Sequence, residues 1–242
     1  MRVVSLVPSI TESLFDLGLT SKEIVGRTKF CIHPKREVEN VKMIGGTKNI
    51  NIEEIKALKP DIILANKEEN VKEQVEELMK DHKVITTNIS TIEDNYYLIK
   101  QLGSLFNKED KAQLYNLKTY EAFDVTKSEK PLKVAYLIWK NPYMTVGGDT
   151  FISRVLEELG FENIFKNQKR YPEVNLQELQ QADLIFLSSE PFPFKEKHIS
   201  EIQDVCINQK IFIVDGEAFS WYGTHLAKCA NYYRELLEKV SL

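Results

Sequence analysis

Cys31 and His33 stand one residue apart in KFCIH, and both side chains bind soft or borderline metals. Two potential ligands at that spacing, with His82, His198 and His225 scattered elsewhere, fall short of a zinc site, so no resident metal is expected. The glycine pair in MTVGGDT precedes a helical pattern, the arrangement that cradles phosphate where backbone N–H groups are free. It lacks P-loop spacing and a following Lys-Ser or Lys-Thr, so a tight turn capped by Asp149 or Thr150 is the expectation. GxSxG, HExxH and a convincing triad are all missing, and the chain reads as a non-enzyme. Aromatics are the other chemical resource. Trp139 ends a strand pattern, and Trp221 and Tyr222 lie in the polar loop GEAFSWYGTH. Such rings suit the face of a large flat ligand.

The elements that would position these residues recur. NIEEIKALKPDIILAN (51–66) returns as NLQELQQADLIFLSSE (175–190): Asn, an amphipathic turn, Asp, then an apolar run. RVVSLV corresponds to LKVAYLIW, and PSITESLFDLGL to DTFISRVLEELGF, each stopped by Gly. VKEQVEELMKDH likewise corresponds to KEKHISEIQDVC, and KVITTN to KIFIVDG. Strand and helix alternate throughout, which predicts parallel sheets covered by helices. A capping box of Ser9 and Glu12 is expected to open the first helix. The expected organisation is an N-terminal α/β lobe over 1–102, a bridging helix within 103–130 (about 20 residues, roughly Lys108 to Lys127), and a C-terminal α/β lobe over 131–242. Two similar lobes imply a ligand cleft between them, at the carboxyl ends of the strands.

Composition narrows the partners. The chain has 242 residues, 43% apolar and 28% charged, with a formal net charge of −4 and no basic stripe, which argues against nucleic acid. No window approaches a membrane-spanning apolar run. Three cysteines, none in a CxxC arrangement, do not demand an oxidising compartment, and Cys206 and Cys229 read as small buried hydrophobes. The N-terminus enters a strand without a basic n-region, which leaves two locations open: cytoplasmic if Met1 is the native start, periplasmic or cell-surface if a signal was removed.

Nearly the whole chain resembles the helical-backbone periplasmic binding proteins, the receptors that deliver cobalamin, haem and ferric siderophores to ABC importers. The likeness is carried by RVVSLVPSITESLFDLGL, GGTKNINIEEIKALKPDIILA, the bridging helix, GFENIF and YPEVNLQEL, and is greatest to the cobalamin branch. It implies a monomeric, non-catalytic receptor that holds a corrinoid, or else haem or another iron chelate, without a catalytic cofactor. A cytoplasmic sensor or carrier on the same fold, or a two-lobed enzyme, is the alternative. The resemblance implies ligand contacts from Lys29, Phe30, Cys31, His33 and Asn66, with Gly45 and Gly46 on the same side. From the second lobe it implies Trp139, Tyr143, Arg170, Tyr171, Glu190, Trp221 and Tyr222. Family receptors dock on the permease through one acidic residue per lobe. Lys72 occupies the first acidic position, with Glu69 or Glu73 nearby, of which Glu73 is the candidate; the second lobe offers Glu196 and Glu201, of which Glu201 is the candidate.

Overall fold

The computed structural model describes residues 1–125 and 130–241. Contacts divide the chain into two units, each built from three segments. The first comprises Met1–Ile89, Glu93–Thr119 and Tyr222–Ala227, and the second Ser90–Ile92, Tyr120–Trp221 and Lys228–Leu242. Tyr222–Ala227, expected in a 131–242 lobe, thus packs with the N-terminal residues.

In the first unit the elements run β1 (Val3–Ser5), α1 (Pro8–Asp16), β2 (Ile24–Arg27), α2 (Lys35–Val38), β3 (Lys42–Met43), α3 (Ile52–Ala57), β4 (Ile62–Asn66), α4 (Lys72–Met79) and β5 (Val84–Thr87), followed by all but the first residue of α5 (Ile92–Phe106) and all but the last three of α6 (Glu109–Ala122). The sheet order is β3-β2-β1-β4-β5, with every pairing parallel. All five residues of β4 are buried, as its continuous apolar run requires in a sheet covered on both faces. The core gathers Val4, Leu6, Ile55, Ile63 and Leu78.

The second unit contains β6 (Leu132–Trp139), β7 (Met144–Thr145), α7 (Phe151–Glu158), β8 (Phe161–Asn163), β9 (Leu184–Ser188), α8 (Glu196–Gln203), β10 (Lys210–Val214), α9 (Gly216–Ser220) and α10 (Ala230–Ser241). Its order is β10-β9-β6-β7, with β8 also on β6. The pairings are parallel except β7, a two-residue antiparallel edge. The recurrence is visible in the strand order: β1-β4-β5 in one sheet matches β6-β9-β10 in the other.

Local chemistry explains the ends. Asn51 caps α3 by accepting the Glu54 N–H at 3.1 Å. Its counterpart Asn175 accepts the Glu178 N–H at 3.1 Å, while Glu178 Oε2 accepts the Asn175 N–H at 2.8 Å, a reciprocal box. That second copy forms only a 3-10 turn, Glu178–Gln181, instead of the expected α-helix. The Ser9–Glu12 box does not form either. Pro8 opens α1, because its fixed φ and missing N–H suit the first helical position. Ser9 and Glu12 are buried within the helix. The expected twenty-residue bridge is α6 alone, 14 residues from Glu109 to Ala122, or about 21 Å at 1.5 Å per residue. Lys127 lies outside the described residues. Asn107, in the left-handed region at φ 53°, ends the helical run of α5 and separates it from α6.

Candidate ligand-binding site

At the carboxyl end of β2, in the first unit, the chain turns through Thr28–Cys31, closed by the Cys31 N–H donating to Thr28 O at 3.2 Å. The Lys29 N–H donates to Gly45 O at 2.7 Å and fixes this turn beside the next loop. Gly45 sits at φ +106°, where a Cβ would lie 2.4 Å from Asn49 O, so only glycine fits. Gly46 lies against Lys29 and Phe30, with both side chains 3.4 Å from the position of its missing Cβ. Lys29, Phe30, Gly45, Gly46, Met43 and Lys48 border a groove of about 520 Å³. Phe30 is 49% exposed, and Lys29 Nζ lies 5.0 Å from its ring centroid.

Four of the expected ligand residues are placed behind the surface instead. Cys31 is 0% exposed, its Sγ 3.1 Å from Thr11 Oγ1 and 3.2 Å from Thr28 Oγ1. Burial pushes its thiol above the ordinary value and leaves a ligand no surface to touch. Asn66 organises the loop after β4: its Oδ1 accepts from Glu68 and Glu69 N–H, and its Nδ2 donates to Thr87 Oγ1 at 3.1 Å. Tyr222 is buried, and burial raises its phenol well above the usual range, with Ser9 and Thr87 beside it. Trp221, in the second unit, is only 8% exposed.

His33 stays half-buried, its ring centroid 6.3 Å from that of His225. His225 Nδ1 lies 2.8 Å from Glu12 Oε2, and Thr224 N–H donates to Ser13 Oγ at 3.0 Å. These bonds tie Tyr222–Ala227 to α1 and account for the burial of Glu12. Among the described residues, no group of three His, Cys, Asp or Glu could hold a metal.

In the second unit, Trp139 is the last residue of β6 and is 40% exposed, packed edge-on against Phe192 at 5.8 Å. Tyr143 is half-buried against the core, and desolvation raises its phenol. Arg170, at φ 59°, donates its backbone N–H to Asp149 Oδ1 at 2.6 Å, and its guanidinium lies 5.4 Å from the Tyr171 ring centroid. Asp149 therefore orients the Arg170 loop, while Thr150 caps α7 by accepting the Ser153 N–H at 3.3 Å. The paired glycines before it serve close packing. Gly147 and Gly148 donate to Arg170 O and Gln168 O, and a Cβ on Gly148 would lie 2.0 Å from Lys166 O. Their amides are spent, which rules out the phosphate cradle at this turn.

Glu190, just past β9, accepts at Oε1 from Ser220 Oγ at 2.8 Å and from Trp221 Nε1 at 3.2 Å. Trp221 thus supports Glu190. Ser220 and Gly216 were missed by sequence reasoning; their only signal is adjacency to the SWY run. Gly216 is needed because a Cβ there would lie 2.4 Å from Glu190 Cγ. The two acidic docking candidates sit on helices: Glu73 exposed in the first turn of α4, and Glu201 on α8, ion-paired to Lys140. That hydrogen bond holds the Glu201 carboxyl below the usual range.

Two parallel α/β sheets with polar and aromatic loops beyond their carboxyl ends define a solute receptor. The chain belongs to the periplasmic binding protein family, whose model matches residues 3–210. It is 29% identical over 184 residues to the vitamin B12-binding protein of Salmonella typhimurium, covering 74% of this chain and 68% of that protein. It superposes on a structure from Staphylococcus epidermidis, described as a possible iron-binding periplasmic solute-binding protein, with TM-score 0.81, 27% identity and 98% of each chain covered. It shares its fold with a periplasmic haem-binding protein of Vibrio cholerae, with TM-score 0.80, 20% identity and 98% of each chain covered.

Proposed function

We propose that this chain is the non-catalytic solute-binding component of an ABC-type importer and that its ligand is a corrinoid, with haem or another iron chelate as the second choice. The observation that carries the reading is the pair of aromatic faces left uncovered at strand ends, Phe30 after β2 and Trp139 at the end of β6. Flat rings bury a large apolar area at little conformational cost, which suits a macrocycle. The vitamin B12-binding relatives favour a corrin over a porphyrin. In this reading Lys29, His33, Tyr143, Arg170, Tyr171 and Glu190 contact the ligand's edge. Cys31, Asn66, Trp221 and Tyr222 hold the contacting loops from behind. Glu73 and Glu201 meet the permease, and the receptor works outside the cytoplasm.

The test is thermal unfolding with cyanocobalamin, haemin and a ferric siderophore, followed by desalting and an absorption spectrum. Ligand at a hundredfold excess over Kd contributes about 2.7 kcal/mol, which raises the midpoint of a chain this size by roughly 5–10 °C. A shift with retained corrinoid colour supports the reading. A shift with haemin alone reverses the order of the two ligands, and no shift with any of the three rejects the macrocycle.

A further inference from the structure

We infer that Glu190 makes the strand-end surface of the second unit selective for macrocycles edged with amide N–H groups, against those edged with carboxylates. This deepens the reading proposed above and rests on it. Both donors to Glu190 converge on one oxygen, Ser220 Oγ and Trp221 Nε1 on Oε1, and Oε2 has no partner among the described residues. The residue is half-buried rather than enclosed. Its placement is built in. Trp221 is packed into the core, and Gly216 leaves the space that Glu190 Cγ fills.

Glu190 follows β9, which pairs in parallel with β6, so Glu190 and Trp139 both lie at the carboxyl end of this sheet on adjacent strands. The local field there is negative: Glu217 and Asp215 both act on Glu190 to disfavour its charged form. A fixed acceptor at that end of the sheet binds an amide N–H strongly, because a hydrogen bond to a charged group is stronger than one between neutral groups. The same group meets a carboxylate with like-charge repulsion and offers it no donor. Corrinoids carry amides around the ring; haem carries two propionates. Discrimination of this kind works through the repulsive element as much as through the attractive one.

The experiment measures Kd for cyanocobalamin and haemin with the full chain and with E190Q. Glutamine keeps an oxygen for Ser220 and Trp221 while replacing Oε2 with an NH2 donor. The wild-type chain should favour the corrinoid, and E190Q should cut the preference at least tenfold, with weaker corrinoid and tighter haemin binding. A preference unchanged within twofold, in an E190Q protein with a wild-type thermal midpoint, overturns the inference and leaves the receptor reading standing. A second measurement needs no variant. Cyanocobalamin with single peripheral amides hydrolysed to carboxylates should include at least one isomer that the wild type binds tenfold more weakly. Equal affinity for all of them overturns the inference. Wild type that binds neither macrocycle overturns the macrocycle reading and this inference together.

Discussion

Trp221 and Trp139 show how one residue type serves opposite ends. Trp221, 8% exposed with its indole N–H on Glu190, is core; Trp139, 40% exposed, is surface. Trp221→Ala should therefore cost about 3–5 kcal/mol in urea unfolding. Trp139→Ala should leave the unfolding midpoint nearly unchanged and weaken ligand affinity; a destabilised Trp139→Ala with normal affinity would reverse the assignment. Glu190 gives a pH prediction. Burial, with Glu217 and Asp215 adding to it, holds its carboxyl above the ordinary 4.5. Just above that value the folded chain keeps a proton that the unfolded chain has released, so this site's contribution to stability falls as pH rises through the window. E190Q escapes that loss. The difference in urea midpoint between E190Q and wild type should move in the variant's favour from pH 4.5 to pH 7.5, and a constant difference would contradict the raised carboxyl. At this scale the sequence offered candidate side chains for a macrocycle and failed to show which of them were spent on internal contacts. Cys31 is enclosed by Thr11, twenty positions away, and Glu190 by Ser220, thirty away. Pairings at such separations leave no local pattern.

Elements were more legible, because periodicity is local. The buried strands β4 and β9 read directly from DIILAN and DLIFLSS, and the Asn that opens each copy of the repeat is a cap in the structure. Terminal details were less so. Pro8 displaced the Ser9–Glu12 box, and the repeat at 178–181 tightened to a 3-10 turn, with eight residues between Asn175 and β9 where the first copy has ten between Asn51 and β4. The continuous helical pattern across 92–122 also concealed the left-handed Asn107. Thr150 holds α7 both by accepting from Ser153 and by donating to Gly147 O at 2.8 Å. Thr150→Ala should cost about 1–2 kcal/mol by chemical unfolding, and less than 0.3 kcal/mol would show that the cap is idle.

For the whole molecule, the decisive feature is the return of Tyr222–Ala227 to the first unit. Gly223 N–H donates to Asn95 Oδ1, and a Cβ on Gly223, at φ +83°, would lie 2.1 Å from Ser13 Oγ. Gly223→Ala should destabilise by about 1–3 kcal/mol, and Ser13→Ala in the same chain should recover part of that loss. Strict additivity would mean that the clash is relieved elsewhere. A linear reading into 1–102 and 131–242 could not find this return, because GTHLA carries no periodic signal and its partners Glu12 and Ser13 lie more than 200 residues upstream.

The same return sets a timetable on the ribosome. Domains emerging first commonly fold first, at about 5–20 residues synthesised per second. Here the N-terminal sheet is laid down early, yet its unit lacks a six-residue segment that ends at position 227 of 242. At that rate about 5–22 s separate the synthesis of Thr119 from that of Ala227, and during that time the amino-terminal unit lacks its last segment. Until that segment is made, the bonds from Gly223 to Asn95 and from Thr224 to Ser13 cannot form.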